Sequence, residues 1–149
     1  MKYMILLSGS QRDYDSMSGK DAASRDAWTG ADFAALGAFM ESFTTDLATS
    51  GELVETRGLT APVHARRIRL ENGVPVVTDG PYAETEEVLA GYWIVECASF
   101  DRATEITARL ADCPGPESVR ARAYADVRPI ADSRAELDKI GRASCRERV

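Results

Sequence analysis

Residues 63–97 read VHARRIRLENGVPVVTDGPYAETEEVLAGYWIVEC, and this stretch decides the fold. Residues 63–70 are rich in β-branched and basic side chains, which predicts a strand. Asn72-Gly73 follows, a pair typical of a two-residue hairpin turn. Residues 74–78 then form a second apolar run before the chain turns at Asp79-Gly80-Pro81. The pattern predicts two antiparallel strands joined by a tight turn.

The turn also fixes which residues of the hairpin face each other. Counting outward from Asn72-Gly73, Arg66 lies opposite Asp79 and His64 lies opposite Pro81. Side chains two residues apart point to the same face of a strand. We therefore expect His64, Arg66 and Asp79 to gather at the polar end of one face of the hairpin.

Residues 77–96, VTDGPYAETEEVLAGYWIVE, resemble the defining segment of the YCII-related proteins of the DGPF group, whose name spells Asp-Gly-Pro-Phe. The motif here is Asp79-Gly80-Pro81-Tyr82, so tyrosine stands where the group's name has phenylalanine. Ala83-Glu84-Thr85 and Gly91-Tyr92 then follow as in the family. The resemblance extends to three further segments, residues 1–8, 32–50 and 127–129. It therefore covers most of the chain.

For the fold, the resemblance implies a small α+β domain of the ferredoxin-like, dimeric α/β-barrel type. Such a domain is a sandwich in which an antiparallel sheet carries two helices on one face. We expect one YCII-related domain over residues 1–130, from a bacterial protein. The resemblance implies no defined reaction, because the biochemical role of the DGPF group is itself poorly defined.

Hydrophobic periodicity predicts the elements outside the hairpin. They are a strand over residues 2–8, a helix over 32–49, a short strand over 52–57, a strand over 90–98, a helix from Ser99 or Asp101 up to Pro114, and a strand over 119–128. Residues 9–31 are polar and rich in turn formers, so we expect a long loop with about one helical turn. A loop of that length inside a compact domain is either functional or disordered.

Any imidazole acid–base chemistry near neutral pH must come from His64, because it is the only histidine. In YCII relatives a His–Asp pair has been proposed as catalytic, and the resemblance maps those roles onto His64 and Asp79. Asp79 lies inside the matched motif, whereas the neighbourhood of His64 is less distinctive. The ligand-binding residues expected beside this pair are Arg66, Gly80, Pro81 and Tyr82.

Structural roles compete with these catalytic and binding roles. An aspartate before Gly-Pro often shapes a turn, because its carboxylate accepts hydrogen bonds from nearby backbone N–H groups. An Arg66–Asp79 pair across two strands is also an ordinary surface contact. Arg66, Arg67 and Arg69 form a basic strand, which is either a solvated edge or a receptor for an anionic ligand. We expect Cys97 to be a buried small hydrophobic residue rather than a nucleophile.

The composition is typical of one globular domain, with 149 residues of which 44% are hydrophobic and 28% charged. No apolar run approaches the length of about 18 residues that a membrane span needs, and the N-terminal run is too short for a secretory signal. We therefore expect a cytoplasmic protein. Three cysteines without a Cys-x-x-Cys pair, and a single histidine, predict neither a disulfide framework nor a zinc site. We expect no metal and no cofactor.

Residues 140–149, IGRASCRERV, look like the translation of a common sequencing adapter, so we expect them to lie outside the native fold and to be disordered or poorly packed. Residues 131–139 then form a C-terminal tail. The last ten residues hold three arginines and one glutamate, so the net charge of −6 becomes −8 without them. A chain this acidic lacks the basic surface that general nucleic-acid binding requires.

Three functions compete at this point. The first is a small enzyme in which Asp79 and His64 act as an acid–base pair on an anionic or carbonyl-bearing metabolite. The second is a module that binds such a ligand without turnover. The third is a regulatory or interaction module, because genes of the DGPF group often lie next to those for extracytoplasmic-function sigma factors. In each case we expect a homodimer, because the sheet has a second apolar face that its own helices cannot cover.

Overall fold

The structure, a computed structural model, describes residues 1–20 and 27–143, with side chains as far as residue 139. Its strands are β1 (Lys2–Gly9), β2 (Leu53–Gly58), β3 (Arg66–Glu71), β4 (Val74–Asp79), β5 (Val88–Glu96) and β6 (Ala125–Pro129). Its helices are α1 (Gln11–Met17), α2 (Gly30–Thr49), α3 (Phe100–Ala108), α4 (Glu117–Arg120) and α5 (Arg134–Ala143). Two short 3₁₀ helices cover Pro62–His64 and Arg109–Asp112.

Four strands form one antiparallel sheet in the order β2-β5-β1-β6. The chain builds it as a strand, the long helix α2, two strands, the helix α3 and a last strand, which is the split βαβ arrangement of ferredoxin-like folds. The predicted α+β sandwich is therefore confirmed. The hairpin of β3 and β4 forms a separate two-stranded sheet, inserted between β2 and β5.

The core lies between one face of the four-stranded sheet and the helices α2 and α3. Alternate residues of β1 and β5 point into it, as the side-chain period of a strand requires. The buried side chains are Tyr3 and Ile5 of β1, Trp93 and Val95 of β5, Phe43 and Leu47 of α2, and Ala103 and Ile106 of α3. The aromatic rings of Phe43 and Trp93 meet edge to face, with centroids 5.2 Å apart, so α2 is locked onto β5.

The opposite face of the sheet is also apolar at its centre. Met4 pairs with Ile94 and Leu6 pairs with Tyr92 across β1 and β5. These four side chains are half-buried. The prediction that the central strands carry apolar residues on both faces is confirmed.

Helix α2 begins two residues before the predicted start at Asp32. Thr29 is its N-cap, and the Asp32 carboxylate accepts a hydrogen bond from the Thr29 backbone N–H at 2.8 Å. In return, the Asp32 N–H donates to the Thr29 hydroxyl at 3.1 Å. This reciprocal capping box makes Asp32 the third residue of the helix rather than its first.

The hairpin register is confirmed, but the start of its first strand is wrong. Arg66 pairs with Asp79 across β3 and β4, as Asn72-Gly73 predicts. Residues 62–64 instead form a 3₁₀ helix, because Pro62 favours its first position and cannot donate a ladder hydrogen bond. His64 therefore precedes the strand and does not share a strand face with Arg66.

Two further predictions need correction. Residues 9–31 are not one long loop, because residues 11–17 form α1, which begins with a capping box between Ser10 and Asp13. The predicted strand over residues 119–128 is wrong in its first half, since Glu117–Arg120 is helical and β6 starts at Ala125. The small alternating side chains there suit a helical turn as well as a strand.

Helix α5 covers most of the predicted tail and continues through the first four residues of the adapter-like segment. The expectation that residues 140–149 are disordered or poorly packed stays a prediction, and residues 144–149 lie outside the described residues. Among the helices that the structure describes, none combines the length and the apolar character needed to cross a membrane.

Candidate functional site

A cleft of about 920 Å³ lies between the sheet and its helices, at the end where β1 finishes and β6 begins. The row of residues across the four strands at this level is Gly58, Gly91, Leu7 and Ala125. The neighbouring row contains Trp93, which is buried against α2. Two of the four residues in the first row have no side chain, whereas the neighbouring row carries the large side chain of Trp93. Helices that pack against the row of Trp93 therefore cannot also contact the row of glycines, which forms the floor of the cleft. The change in side-chain size therefore leaves the cleft open.

Aromatic side chains line the cleft, and they include both tryptophans of the chain, Trp28 and Trp93. The Trp93 Nε1 donates a hydrogen bond to the Thr44 hydroxyl at 3.4 Å. The Tyr14 hydroxyl donates to the Leu59 carbonyl at 2.8 Å, and burial raises the pKa of this phenol. Further apolar wall residues are Met17, Leu36, Met40, Leu110, Val119 and Val127. The cleft is thus mainly apolar, and the polar groups of Trp93 and Tyr14 are already hydrogen-bonded.

Trp28 is held between two parts of the chain. Its ring lies 5.5 Å from that of Phe33, measured between centroids. On the other side it packs against Gly115, where an added Cβ would meet the indole Cη2 at 3.1 Å. A larger residue at position 115 would require the indole to move by a few tenths of an ångström. The Trp28 ring therefore has a defined plane beside the cleft.

An ion pair joins α1 to the segment of residues 121–124 at the cleft. The Arg122 Nη2 donates to Asp13 Oδ1 at 2.9 Å, while the other carboxylate oxygen of Asp13 accepts hydrogen bonds from the backbone and hydroxyl of Ser10. Partial burial is the largest influence on the Asp13 pKa and raises it. The hydrogen bonds from Ser10 and Arg122 together outweigh burial, so the pKa lies below its usual value.

A second contact holds the same segment to the connection before β5. The Tyr124 hydroxyl donates to Glu87 Oε2 at 2.5 Å, and this hydrogen bond to the carboxylate raises the pKa of the Tyr124 phenol. Both residues line the cleft, together with Asp13 and Arg122. Residues 121–124 are exposed. Backbone hydrogen bonds to residues 117–120 and the side-chain contacts of Arg122 and Tyr124 hold them beside the cleft.

Arg120 differs from the other arginines at the cleft. Arg57 pairs with Glu55 and Arg122 pairs with Asp13, whereas Arg120 has no ion pair with any residue that the structure describes. Its guanidinium is exposed and lies near the half-buried thiol of Cys113. Burial raises the Cys113 pKa, and the charge of Arg120 offsets only part of that effect. Arg120 is thus the cation available to an anionic group in the cleft.

Asp79 and Arg66 lie at the base of the hairpin. The Arg66 Nε donates to Asp79 Oδ1 at 3.1 Å. Their side chains are 79% and 74% exposed, so water screens this pair strongly. Neither residue lines the large cleft. The predicted contact between Arg66 and Asp79 is confirmed, with the geometry of a surface pair.

His64 is exposed at the end of its 3₁₀ helix, and no hydrogen bond joins it to Asp79 within the described residues. His64 and Tyr82 do line a smaller pocket of about 290 Å³. Gly80 adopts a positive φ of 53°, and its N–H donates to the Ala65 carbonyl at 2.8 Å. This bond ties the segment of Gly80, Pro81 and Tyr82 to the start of β3.

Little in the sequence indicates the large cleft. Its lining comes from segments far apart in the chain, so no single motif marks it. One indication is the long segment of residues 9–31, because a segment of that length is expected to be functional if it is ordered. That region supplies Asp13, Tyr14 and Trp28 to the cleft. The facing pair of Gly58 and Gly91 becomes visible only once β2 and β5 are aligned.

The described residues contain no group of three or more His, Cys, Asp or Glu side chains that could hold a metal ion. Cys97 is buried, as expected, and its thiol donates to the Ser99 carbonyl at 3.4 Å. The described residues of the cleft therefore offer apolar surface, aromatic rings, one available guanidinium and two bonded carboxylates.

Comparison with known proteins agrees with this architecture. A family model described as the YCII-related domain matches residues 1–128. An uncharacterised protein of Rhizobium meliloti (strain 1021) is 33% identical over 81 residues, which make up 54% of this chain and 65% of that protein. The match thus spans less than two thirds of the length of that relative, and the relative's name assigns it no activity.

Proposed function

Because the chain belongs to the YCII-related family, we propose that its domain binds a small molecule in the large cleft, an apolar metabolite that carries an anionic or carbonyl group. The observation that carries this proposal is Arg120, an arginine without an ion pair among the described residues, beside a mainly apolar cleft. Its guanidinium can donate to an oxygen of the ligand without losing another partner. The Asp-Gly-Pro-Tyr motif supports the finer assignment to the DGPF group.

The size of the cleft supports the same proposal. Its volume of about 920 Å³ lies within the range of roughly 300 to 1,000 Å³ that is common for small-molecule sites. Such sites combine apolar walls with a few polar groups that orient the ligand. Here Arg120 supplies the charge, and the bonded hydroxyls of Tyr14 and Tyr124 stand at fixed positions.

The test uses 8-anilinonaphthalene-1-sulfonate, which is apolar, anionic and fluorescent when bound away from water. We expect the wild-type protein to bind this dye and to transfer excitation to it from Trp28 and Trp93. Arg120→Gln should weaken binding about tenfold, the size of one charge-assisted hydrogen bond. Arg12→Gln is the matched control, because Arg12 is also exposed but does not line the cleft. Equal loss in both variants would overturn the proposal.

We further propose that Asp79 and His64 form an acid–base pair that acts on a bound compound. The support is the motif itself, together with the hydrogen bond from the Gly80 N–H to the Ala65 carbonyl, which links the residues that follow each of the two. An imidazole is the side chain best suited to accept or donate a proton at neutral pH. The pair needs hydrogen-bond reach, or one bridging water, in the complex with its substrate.

Substitution separates this catalytic role from a role in the turn. Because the side chain of Asp79 is exposed, Asp79→Asn should cost little stability yet abolish turnover, and His64→Asn should reduce turnover in parallel. Glu71→Gln serves as the control, since Glu71 is an exposed hairpin carboxylate that pairs with Arg69. An Asp79→Asn protein that melts several degrees lower but binds and reacts normally would assign Asp79 to the turn.

We propose that the protein is a cytoplasmic homodimer that buries the sheet face of Met4, Leu6, Tyr92 and Ile94. The support is the apolar centre of that face, which is typical of a surface that a partner covers. Sedimentation equilibrium should give twice the chain mass of 16.2 kDa, and Leu6→Asp should return the protein to a monomer. A wild-type protein that stays monomeric at high concentration would contradict this.

An alternative proposal is a regulatory module that acts with an extracytoplasmic-function sigma factor. The support is the hairpin, where Ile68, Leu70 and Val77 share one face and are 64%, 71% and 58% exposed. An apolar face on a protruding hairpin suits a protein partner. Binding of a purified sigma factor that survives Arg120→Gln but is lost in Ile68→Asp would favour this alternative. Absence of binding in the wild type would remove it.

A further inference from the structure

We propose that the ligand of the cleft is a planar aromatic compound with a single negative charge, lying flat on the backbone of Gly58 and Gly91. This inference rests on the proposed function and specifies the class of ligand. Three features of the described residues lead to it, namely the shape of the floor, the fixed planes of the aromatic walls and the charge balance beside the cleft.

The floor of the cleft is bare backbone at two of its four positions. Gly58 and Gly91 face each other across β2 and β5 on the helix side of the sheet. A Cβ on Gly91 would meet the Arg57 carbonyl oxygen at 3.0 Å, so this position has no room for a side chain. A Cβ on Gly58 would meet nothing within 4 Å. Two facing glycines leave a patch of backbone without side chains, on which a flat ring can lie in close contact.

The walls hold aromatic rings at fixed angles. Trp93 is locked edge to face against Phe43, with an angle of 90° between the ring planes. Trp28 is held between Phe33 and Gly115. Rigid aromatic walls favour an aromatic guest, because ring pairs gain energy beyond the burial of their area when they stack with an offset or meet edge to face. A saturated ring of the same carbon count is thicker and lacks this gain.

The charges beside the cleft favour a single negative charge. Arg120 is the one cleft arginine without an ion pair in the described part of the chain, while Asp13 and Glu87 place two carboxylates nearby. One carboxylate or sulfonate can pair with Arg120. A second negative group would meet no further available cation among the described residues and would be repelled by the carboxylates. Nucleotide di- and triphosphates are therefore poor candidates.

Isothermal titration calorimetry with two matched acids tests the shape of the ligand. 2-Naphthoate and decahydronaphthalene-2-carboxylate have the same carbon skeleton and charge, but only the first is flat. We expect 2-naphthoate to bind about tenfold tighter to the wild-type protein, from aromatic contact with Trp28 and Trp93. Equal affinity for the two acids, or a preference for the saturated one, would overturn the inference.

Side chains added at Gly58 test the position of the ligand. Gly58→Ala, Gly58→Val and Gly58→Leu should weaken 2-naphthoate binding in that order, with more than a tenfold loss for leucine. The open space above Gly58 should let all three variants fold, and thermal melts check this. Gly58→Ala, the smallest change, keeps the test valid if a larger variant melts early. Val54→Phe is the control, because it adds bulk to the same strand at an exposed residue that does not line the cleft.

The outcomes separate the two proposals. If Gly58→Leu binds 2-naphthoate as the wild type does, while Arg120→Gln still weakens dye binding, the cleft binds anions but the flat floor is not the ring site. If the wild type binds neither acid and no dye, the proposed function fails and this inference fails with it. A graded loss along the Gly58 series, with normal binding by Val54→Phe, supports the inference.

Discussion

Replacing Asp13 by asparagine would test how residues 121–124 are fastened beside the cleft. The Asp13 carboxylate accepts three hydrogen bonds, two from Ser10 at 2.9 and 3.0 Å and one from Arg122 at 2.9 Å. Asparagine has only one side-chain oxygen and carries no charge. It can therefore accept either the hydrogen bonds from Ser10 or the hydrogen bond from Arg122, but not both. The side chains of Arg122 and Asp13 are 42% and 28% exposed, so solvent screens part of their attraction.

The expected magnitude follows from these contacts. The screened ion pair contributes roughly 0.5 kcal/mol, at the level of a partly exposed pair. Weakening the reciprocal cap of α1 costs about 1 kcal/mol. Asp13→Asn should therefore lower the free energy of unfolding by about 1.5 kcal/mol, which is a fall in Tm of about 5 °C for a domain of this size. Asp15→Asn, on the same helix, should cost less because its partners Gln11 and Lys20 are local.

The loss should also depend on pH, with a definite sign. The Asp13 pKa is lower in the folded protein than its ordinary value of 3.8. A carboxyl with a lowered folded pKa stabilises the fold above the unfolded pKa and loses that contribution as the pH falls through the folded pKa. The difference between wild type and Asp13→Asn should thus be constant from neutral pH down to about pH 5 and shrink below pH 3.8.

Urea denaturation at several pH values measures this difference. A double-mutant cycle with Arg122→Gln separates the ion pair from the cap and should give a coupling energy of roughly 0.5 kcal/mol. Asp13→Asn as stable as wild type at pH 7 would refute the reasoning. A loss that stayed the same at pH 2.5 would also refute it, because the carboxylate charge would then have no part.

Five other substitutions test the packing and the surface. Phe43→Ala should cost about 3 to 5 kcal/mol in urea denaturation, because the ring is fully buried, and a loss under 1 kcal/mol would contradict its place in the core. Gly91→Ala should destabilise by about 1 to 3 kcal/mol where Gly58→Ala is nearly neutral, since only Gly91 lacks room for a Cβ; equal effects would contradict the described floor. Arg66→Ala should change stability by less than about 0.5 kcal/mol, whereas Arg102→Ala, which removes a two-pronged contact to a mostly buried carboxylate, should cost about 1 kcal/mol or more.

The hairpin shows how far local chemistry carries a prediction. Asn72 and Gly73 both have positive φ in the structure, as the tight turn requires. Once that turn is recognised, the pairing of Arg66 with Asp79 follows by counting. The helices α2 and α3 were also predictable, because their apolar side chains recur at helical spacing. In each case the signal lies within a few neighbouring residues.

The errors occurred where two local signals competed. Residues 63–65 look like the start of a strand by composition, but Pro62 imposes a turn on them. Helix α1 is polar and short, so periodicity did not reveal it, although the capping box of Ser10 and Asp13 was readable. Residues 119–128 alternate between small and large side chains, and alanine permits a helix as readily as a strand.

The candidate site was less predictable than the fold. Asp79 could be placed at the base of the hairpin, but its exposure could not be read from the sequence. Its catalytic role stays a prediction. The cleft depends on long-range pairing, since Gly58 and Gly91 are 33 positions apart and face each other only through the register of β2 and β5. Arg120 stands out only because Arg57 and Arg122 form ion pairs, whereas Arg120 forms none with a described residue.

Helix α1 is the element that connects the cleft with the motif segment. Its residues Asp13 and Tyr14 line the cleft. The helix also contacts the segments before and after the motif. The Gln11 side-chain oxygen accepts a hydrogen bond from the Val63 N–H at 2.9 Å, and the Arg12 N–H donates to the Glu84 carbonyl at 3.0 Å. A ligand that displaces α1 therefore shifts the chain on both sides of the Asp-Gly-Pro-Tyr motif. Since Asp79 does not line the cleft, an effect of Asp79→Asn on ligand binding has to pass through these contacts or arise at a different pocket.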